Sequence, residues 1–333
     1  MSGVFGKFIT LVAGIGYLVA AIFSGNGFDS TSNYKKHVAE YTKYENTLED
    51  AIPQTEMYNY IKDFLAGKTE GKERKCIVIG YDGCRADMLG YAKDGESAIN
   101  YLQSGADSQT FLTYCGGTNW PYWNSQASST APGWCSILTG VWADVHGVTD
   151  NDIVKNPECR TLITSLVEDG TIDASAFIVS WSGHFDNTDS VYDPETSEST
   201  YCEEKDYAEK KGLNASFIRS TTDDVGTKEY TLAEIAKSDC ADFIFSIFEY
   251  TDHVGHDVGF SYFNSDYENA FYDADATALD IIKAIEARPT YENEDWLIIL
   301  TADHGGSTLG HGGPTIMERM TWIVSNKTIE DFT

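Results

Sequence analysis

Three times in this chain a short apolar run of strand length stops at an aspartate. Residues 76–80 (CIVIG) lead through Tyr81 to Asp82, residues 242–248 (DFIFSIF) lead through Glu249, Tyr250 and Thr251 to Asp252, and residues 296–301 (WLIILT) lead through Ala302 to Asp303. Two further runs of the same kind occur at 176–180 (AFIVS) and 321–324 (TWIV). Runs this short, rich in Ile, Val and Phe and spaced by tens of residues, suit strands buried on both faces of a parallel sheet. Crossover helices are predicted over 133–138, 162–168 and 267–287, the last with an amphipathic pattern. The fold class that follows is α/β, with a mostly parallel central sheet and helices on both faces. In open sheets of this kind ligands bind outside the carboxyl ends of the strands, where the three aspartates fall.

Histidines accompany them. Asp252 opens Asp252-His253-Val254-Gly255-His256, Asp303 opens Asp303-His304-Gly305-Gly306, and His311 follows in Gly310-His311-Gly312-Gly313. A single aspartate after a strand serves as a turn or helix cap as readily as a ligand. Three strand ends that together carry Asp82, Asp252, Asp303, His256, His304 and His311 point to metal binding instead. Carboxylate with imidazole and no thiolate suits Zn²⁺ first, with Mn²⁺ and other divalent ions as alternatives, and the set is large enough for two ions. A pair of metals is the usual clamp for in-line displacement at phosphorus. The segment 128–140 (SSTAPGWCSILTG) adds hydroxyls where Pro132 and Gly133 favour a helix start, and helix N-terminal amides suit a phosphoryl group.

These residues resemble the alkaline phosphatase superfamily, and in particular its type I phosphodiesterase/nucleotide pyrophosphatase branch. The resemblance runs from about Cys76 to Val324 and is carried by Asp82, residues 130–151 (TAPGWCSILTGVWADVHGVTDN), DHVGH at 252–256, and TADHGG with GHGG at 301–313. It implies Thr130 as nucleophile and bridging ligand, Asp82, Asp303 and His304 as ligands of one metal, and Asp252 and His256 as ligands of the other. His311 is implied as the third ligand of the second metal, and Asn151 as a donor to a phosphoryl oxygen. The implied reaction is attack by Thr130 on a phosphodiester, a covalent threonyl intermediate, and its hydrolysis. Nucleotide pyrophosphatases place the histidine that matches His311 much farther downstream. A HisGlyGly soon after AspHisGly is more like the phosphoethanolamine-transferase and general phosphodiesterase members, so a transferase and a phosphomonoesterase remain enzymatic alternatives, and an inactive metal-binding descendant the non-enzymatic one. Sulfatases are disfavoured. Thr130 and Pro132 align with their CxPxR or SxPxR pattern, but Trp134 replaces the Arg and threonine is not converted to formylglycine.

Other candidates receive structural readings. Cys135 and Ser136 belong to the helix after Thr130, His253 points away from the metals, His146 shapes the turn before Gly147, and His184 is a candidate substrate contact. Trp120, Pro121, Tyr122 and Trp123 read as either a stacking surface for a base or choline-like head group or a packed lid. Seven cysteines without CxxC pairs give no zinc-finger signal.

The N-terminus sets the expected location. Residues 8–23 (FITLVAGIGYLVAAIF) are apolar except for Thr10, and with residues 4–7 they reach roughly the 20 needed to span a bilayer. The domains expected are a membrane anchor or signal segment at 1–28, a helical linker region at 29–73 divided at Pro53, and a catalytic domain at 74–333 with a specificity insertion near 182–230. The protein is expected to be exported and tethered, with its catalytic domain outside the cytoplasm, or secreted if the segment is cleaved. Because 23 Lys and Arg face 52 Asp and Glu, for a formal charge of −29, a nucleic-acid duplex is excluded as partner. The expected substrate is a phosphorylated small molecule or lipid head group. Relatives continue beyond the TWIV strand, whereas nine residues, 325–333, remain here, so the expectation is either a C-terminally truncated chain or an unusual closure of the sheet.

Overall fold

The computed structural model describes residues 51–328, apart from 94, 117–125, 152, 186–198 and 314. The apolar segment 8–23, the aromatic group at 120–123 and the 186–198 part of the insertion lie outside the described residues. Among the described residues no helix is long and apolar enough to cross a membrane.

The strands are β1 (Ile52–Pro53), β2 (Glu73–Tyr81), β3 (Gln109–Tyr114), β4 (Ser175–Val179), β5 (Ala215–Arg219), β6 (Phe243–Phe248), β7 (Glu294–Thr301) and β8 (Met320–Ser325). They form one sheet in the order β1-β3-β8-β7-β2-β6-β4-β5. All five predicted runs are strands of it. Only β8 is reversed, pairing antiparallel with β3 and β7, while β2 pairs parallel with both β6 and β7. The TWIV run therefore lies inside the sheet. Strands β3 and β5 were not anticipated from sequence, because QTFLTY and ASFIR are only partly buried and lack a continuous apolar run.

Both faces of the sheet are covered, as the doubly apolar strands require. Along β2, Cys76 and Val78 face one core with Met57, Ile61, Trp134, Leu162, Phe177 and Phe245. Ile77, Ile79 and Tyr81 face the other, with Ile99, Phe271, Ile281 and Trp322. This alternation is the period of two of a strand, and each fully buried aliphatic or aromatic side chain stabilises the fold by about 1.5–3 kcal/mol. The helix Ser265–Glu286 buries Tyr267, Phe271, Ala274, Ala278, Ile281, Ile282 and Ile285 along one stripe, and its N-cap Asn264 accepts from the Asp266 N–H.

The stretch read as a linker differs from expectation after residue 50. The helix Glu56–Ala66 buries Met57, Ile61 and Leu65 at four-residue spacing, which makes it part of the packed layer rather than a spacer. Pro53 does precede a helix, but as a residue of the two-residue edge strand β1, where an edge position tolerates its missing N–H.

Candidate active site

Strand order brings the aspartates together. β7, β2 and β6 are neighbours running in one direction, so Asp303, Asp82 and Asp252 emerge from adjacent carboxyl ends. The Asp82 N–H continues the ladder to Phe248 O at 2.9 Å. Asp82 and Asp303 are fully buried and Asp252 nearly so. The helix Tyr250–Val258 starts directly after β6, so Asp252 and His256 share a face, with Oδ2 and Nε2 3.4 Å apart. A turn closed by the Ser307–Gly310 bridge returns the chain to place His311 Nε2 3.5 Å from Asp252 Oδ1. His304 Nε2 is 3.4 Å from both Asp82 Oδ1 and Asp303 Oδ2. Two groups of potential ligands result, Asp82 with Asp303 and His304, and Asp252 with His304 and His311, each with its ligand atoms within 4.8 Å. His304 belongs to both, and His256 Nε2 adjoins the second at 3.1 Å from His311 Nε2.

The donor set fits divalent metal ions. His256 Nδ1 faces Leu309 O at 3.0 Å, His304 Nδ1 faces Gly305 O at 2.7 Å, and His311 Nδ1 faces Ser128 O at 3.2 Å. A carbonyl can only accept, so each neutral ring carries its proton on Nδ1 and turns the Nε2 lone pair inward, the arrangement of a metal-binding histidine. Asp252 Oδ1 and Asp303 Oδ2 are buried without a hydrogen-bond partner. Buried carboxylates persist where they are paired or bind a metal, and among the described residues no Lys or Arg ion pair involves Asp82, Asp252 or Asp303.

Electrostatics record the same crowding of charge. Burial and the neighbouring Asp82 push the Asp303 carboxyl well above the usual range. Burial alone would depress His304, but Asp303 and Asp82 raise it to about 10. His311 is lowered to about 4 by burial and by His304. Glu249, buried at the end of β6, is pushed up by burial and then by Asp82 and Asp224.

Thr130 is the first residue of the helix Thr130–Thr139, whose ten residues are all buried. Its hydroxyl donates to Asp82 Oδ1 at 3.2 Å and lies 3.4 Å from His304 Nε2. Gly133 lets this helix approach the loop that carries Asp303 and His304, since a Cβ there would meet Asp303 O at 2.9 Å. Asn151 Oδ1 accepts the Ala131 N–H at 2.9 Å, which fixes its amide beside the helix start. All eight residues singled out in sequence, Asp82, Thr130, Asn151, Asp252, His256, Asp303, His304 and His311, thus lie around one point.

The remaining candidates are elsewhere in role. His253 is exposed, with Nε2 3.7 Å from Glu249 Oε2. His146 is buried, accepts the Val148 N–H at Nδ1 and meets Ser136 Oγ at 3.1 Å, which accounts for the turn and for Ser136. Cys135 is buried. His184 has no exposed surface and packs against Trp181, Phe177 and Tyr201, so it is enclosed rather than presented to a ligand. Sequence reasoning passed over Trp134, whose indole N–H donates to Asp82 Oδ2 at 2.8 Å. It also passed over Glu249, although the rule that marked Asp252 applies to the carboxylate next to the same strand.

Residues 76–322 match the family of type I phosphodiesterase / nucleotide pyrophosphatase. No curated protein matches the chain. Among solved structures, murine ectonucleotide pyrophosphatase/phosphodiesterase 5 is similar at 16% identity and a TM-score of 0.48, over 70% of this chain and 58% of that one. A phosphonate monoester hydrolase of Agrobacterium radiobacter is similar at 12% identity and a TM-score of 0.49, over 77% and 68%. The periplasmic domain of a phosphoethanolamine transferase from Campylobacter jejuni is similar at 12% and 0.48, over 77% and 80%. The chain therefore spans about 58% of the length of the murine protein.

Proposed function

The chain belongs to the type I phosphodiesterase/nucleotide pyrophosphatase family, and on that premise we propose that it hydrolyses phosphodiesters at a two-metal site through a covalent adduct on Thr130. The observation that carries the reading is the Thr130 hydroxyl, held 3.2 Å from Asp82 Oδ1 and 3.4 Å from His304 Nε2 at a helix start bordered by both ligand groups. Asp82, Asp303 and His304 would hold one ion and Asp252, His256 and His311 the other. Zn²⁺ is the first choice for this donor set, with Mn²⁺ next. Bound ions would supply positive charge for the phosphoryl oxygens and make the threonine hydroxyl more acidic.

The chain's own groups account for the rest. Thr130 Oγ1, made acidic beside the ligand groups, loses its proton to solvent and forms a bond to phosphorus, while the bond from phosphorus to the leaving oxygen breaks in line and the departing alkoxide takes up a proton from solvent. Water then forms a new bond to phosphorus, the Thr130 Oγ1–phosphorus bond breaks, and the hydroxyl is restored. Asn151 keeps its Oδ1 on the Ala131 N–H, which leaves its Nδ2 to donate to an equatorial oxygen as charge builds there. The substrate proposed is a phosphorylated small molecule or lipid head group, met outside the cytoplasm by an enzyme tethered through residues 8–23. The His311-Gly312-Gly313 motif, so soon after Asp303-His304-Gly305, supports a second reading, transfer of the phosphoryl group to an alcohol in place of water.

The test is turnover of bis(p-nitrophenyl) phosphate and p-nitrophenyl phosphate by the metal-stripped full chain with Zn²⁺ or Mn²⁺ restored. Metal-dependent cleavage of the diester, lost in Thr130→Ala, is expected. A preference for the monoester would replace the reading with a phosphatase, and a folded, metal-loaded protein inert to both would remove hydrolysis from it.

A further inference from the structure

Asp82 is gripped at both oxygens by one helix. Thr130 Oγ1 donates to Oδ1 at 3.2 Å, and Trp134, four residues on and hence on the same helical face, donates its indole N–H to Oδ2 at 2.8 Å. We propose that Trp134 is a positioning residue, whose N–H occupies Asp82 Oδ2 so that the carboxylate offers only Oδ1 to a metal ion shared with Asp303 and His304. The inference rests on the two-metal reading above and concerns how this chain tunes that site.

Three observations support it. Trp134 is fully buried, so its N–H has no water to fall back on, and the bond to Asp82 is what satisfies it. The indole is clamped, edge-on to Phe245 with ring centres 5.6 Å apart and against β2 at Gly80, where a Cβ would lie 2.4 Å from the ring. The side of the carboxylate left to the site is Oδ1, which faces both the Thr130 hydroxyl and His304 Nε2. A neutral donor also orients the carboxylate without adding a cation beside the ligands, as the arginine of the sulfatase pattern would. Holding the carboxylate to one oxygen favours an ion that accepts four ligands, such as Zn²⁺, over ions that take six or more.

The experiment measures Zn²⁺ affinity by competition with a chromogenic chelator in the full-length wild type, Trp134→Phe and Trp322→Phe, with folding of each metal-free protein followed by circular dichroism. Trp322 is a matched control, a fully buried tryptophan whose N–H donates to Cys84 O at 3.2 Å. Trp134→Phe is expected to weaken one of two zinc sites by roughly 10–100-fold, the usual effect of removing a partner of a metal ligand, while Trp322→Phe stays within about twofold of wild type. Equal zinc affinity in Trp134→Phe and wild type, or equal losses in the two variants, would overturn the inference and leave the two-metal reading standing. A wild type that binds no zinc or manganese would overturn both. Should Trp134→Phe fail to fold, indole ¹⁵N-labelled wild type decides the matter. One tryptophan N–H signal is expected to move on zinc addition well beyond the rest, and no movement of any of them would reject the assignment.

Discussion

His256 and His311 face each other with their Nε2 atoms 3.1 Å apart. Each ring's Nδ1 points at a backbone carbonyl, so in their neutral forms the two nitrogens meet lone pair to lone pair. That arrangement is favourable with a cation between and beside them, and Asp252 lies within 3.5 Å of each. His311→Ala is therefore expected to lower the bound metal from two ions to one per chain, by elemental analysis after dialysis, and to reduce diester turnover roughly a hundredfold or more. Retention of two ions would remove His311 from the ligand set.

Thr130→Ser keeps the hydroxyl and loses only a methyl, whereas Thr130→Ala removes the attacking atom. Serine is expected to keep turnover within about tenfold of wild type and alanine to lose roughly a thousandfold or more. Both should bind metal, because the carboxylates and imidazoles are untouched. A serine variant as inactive as alanine would argue that Thr130 shapes the helix start and does not react.

Asn151 is predicted to act on charge that grows during reaction. Loss of one such donor costs about 10²–10³ in kcat, with KM changing much less. Asn151→Ala is expected to show that split in steady-state kinetics. Asn151→Asp can still accept the Ala131 N–H but repels a phosphoryl oxygen, so it should be the poorer enzyme of the two.

Much of this architecture was legible because the strands of a parallel sheet are apolar on both faces, and the five runs read as strands all belong to the sheet. The gathering of Asp82, Asp252 and Asp303 was legible for a related reason, since polar groups just past a buried strand must lie at its carboxyl end. What could not be read is equally physical. A run such as TWIV carries no mark of direction, and its reversal in β8 follows from pairing with β3 and β7. QTFLTY and ASFIR are half-exposed strands whose side chains need not be apolar. The Trp134 bond to Asp82 spans 52 residues of sequence, and an indole in an apolar helix gives no sign of which acceptor it will find.

Charge crowding makes a prediction that separates binding from stability. Without metal, Asp303 is buried beside Asp82, and its carboxyl is held well above the usual range by burial and by that neighbour. Asp303→Asn removes the ionisable carboxyl at constant shape, and with it the cost of keeping that group buried beside Asp82. It is expected to raise the melting temperature of the metal-free protein, by roughly 1–2 °C for each kcal/mol gained, and to weaken zinc binding sharply. A variant less stable than wild type in the presence of chelator would show that Asp303 is held by structure rather than kept for a cation.

The acid limb of stability should depend on His146. Its ring is buried, with Nδ1 accepting the Val148 N–H and Nε2 meeting Ser136 Oγ, so a second proton on Nδ1 would face a donor. Burial first, and then the Lys155 charge, lower it from 6.5 to about 3. Between those values the unfolded chain binds a proton that the folded chain refuses, so stability rises with pH across that window. The contribution is whole above about pH 6.5 and is lost progressively as pH falls towards 3. Urea midpoints of wild type and His146→Gln, compared at steps from pH 7 to pH 4 with chelator present, are expected to converge as pH falls, because the variant has no ring to protonate. Comparing the two proteins at each pH cancels the titration of every other group, so midpoints that stay parallel would show that His146 accepts its proton in the folded state as easily as in the unfolded one.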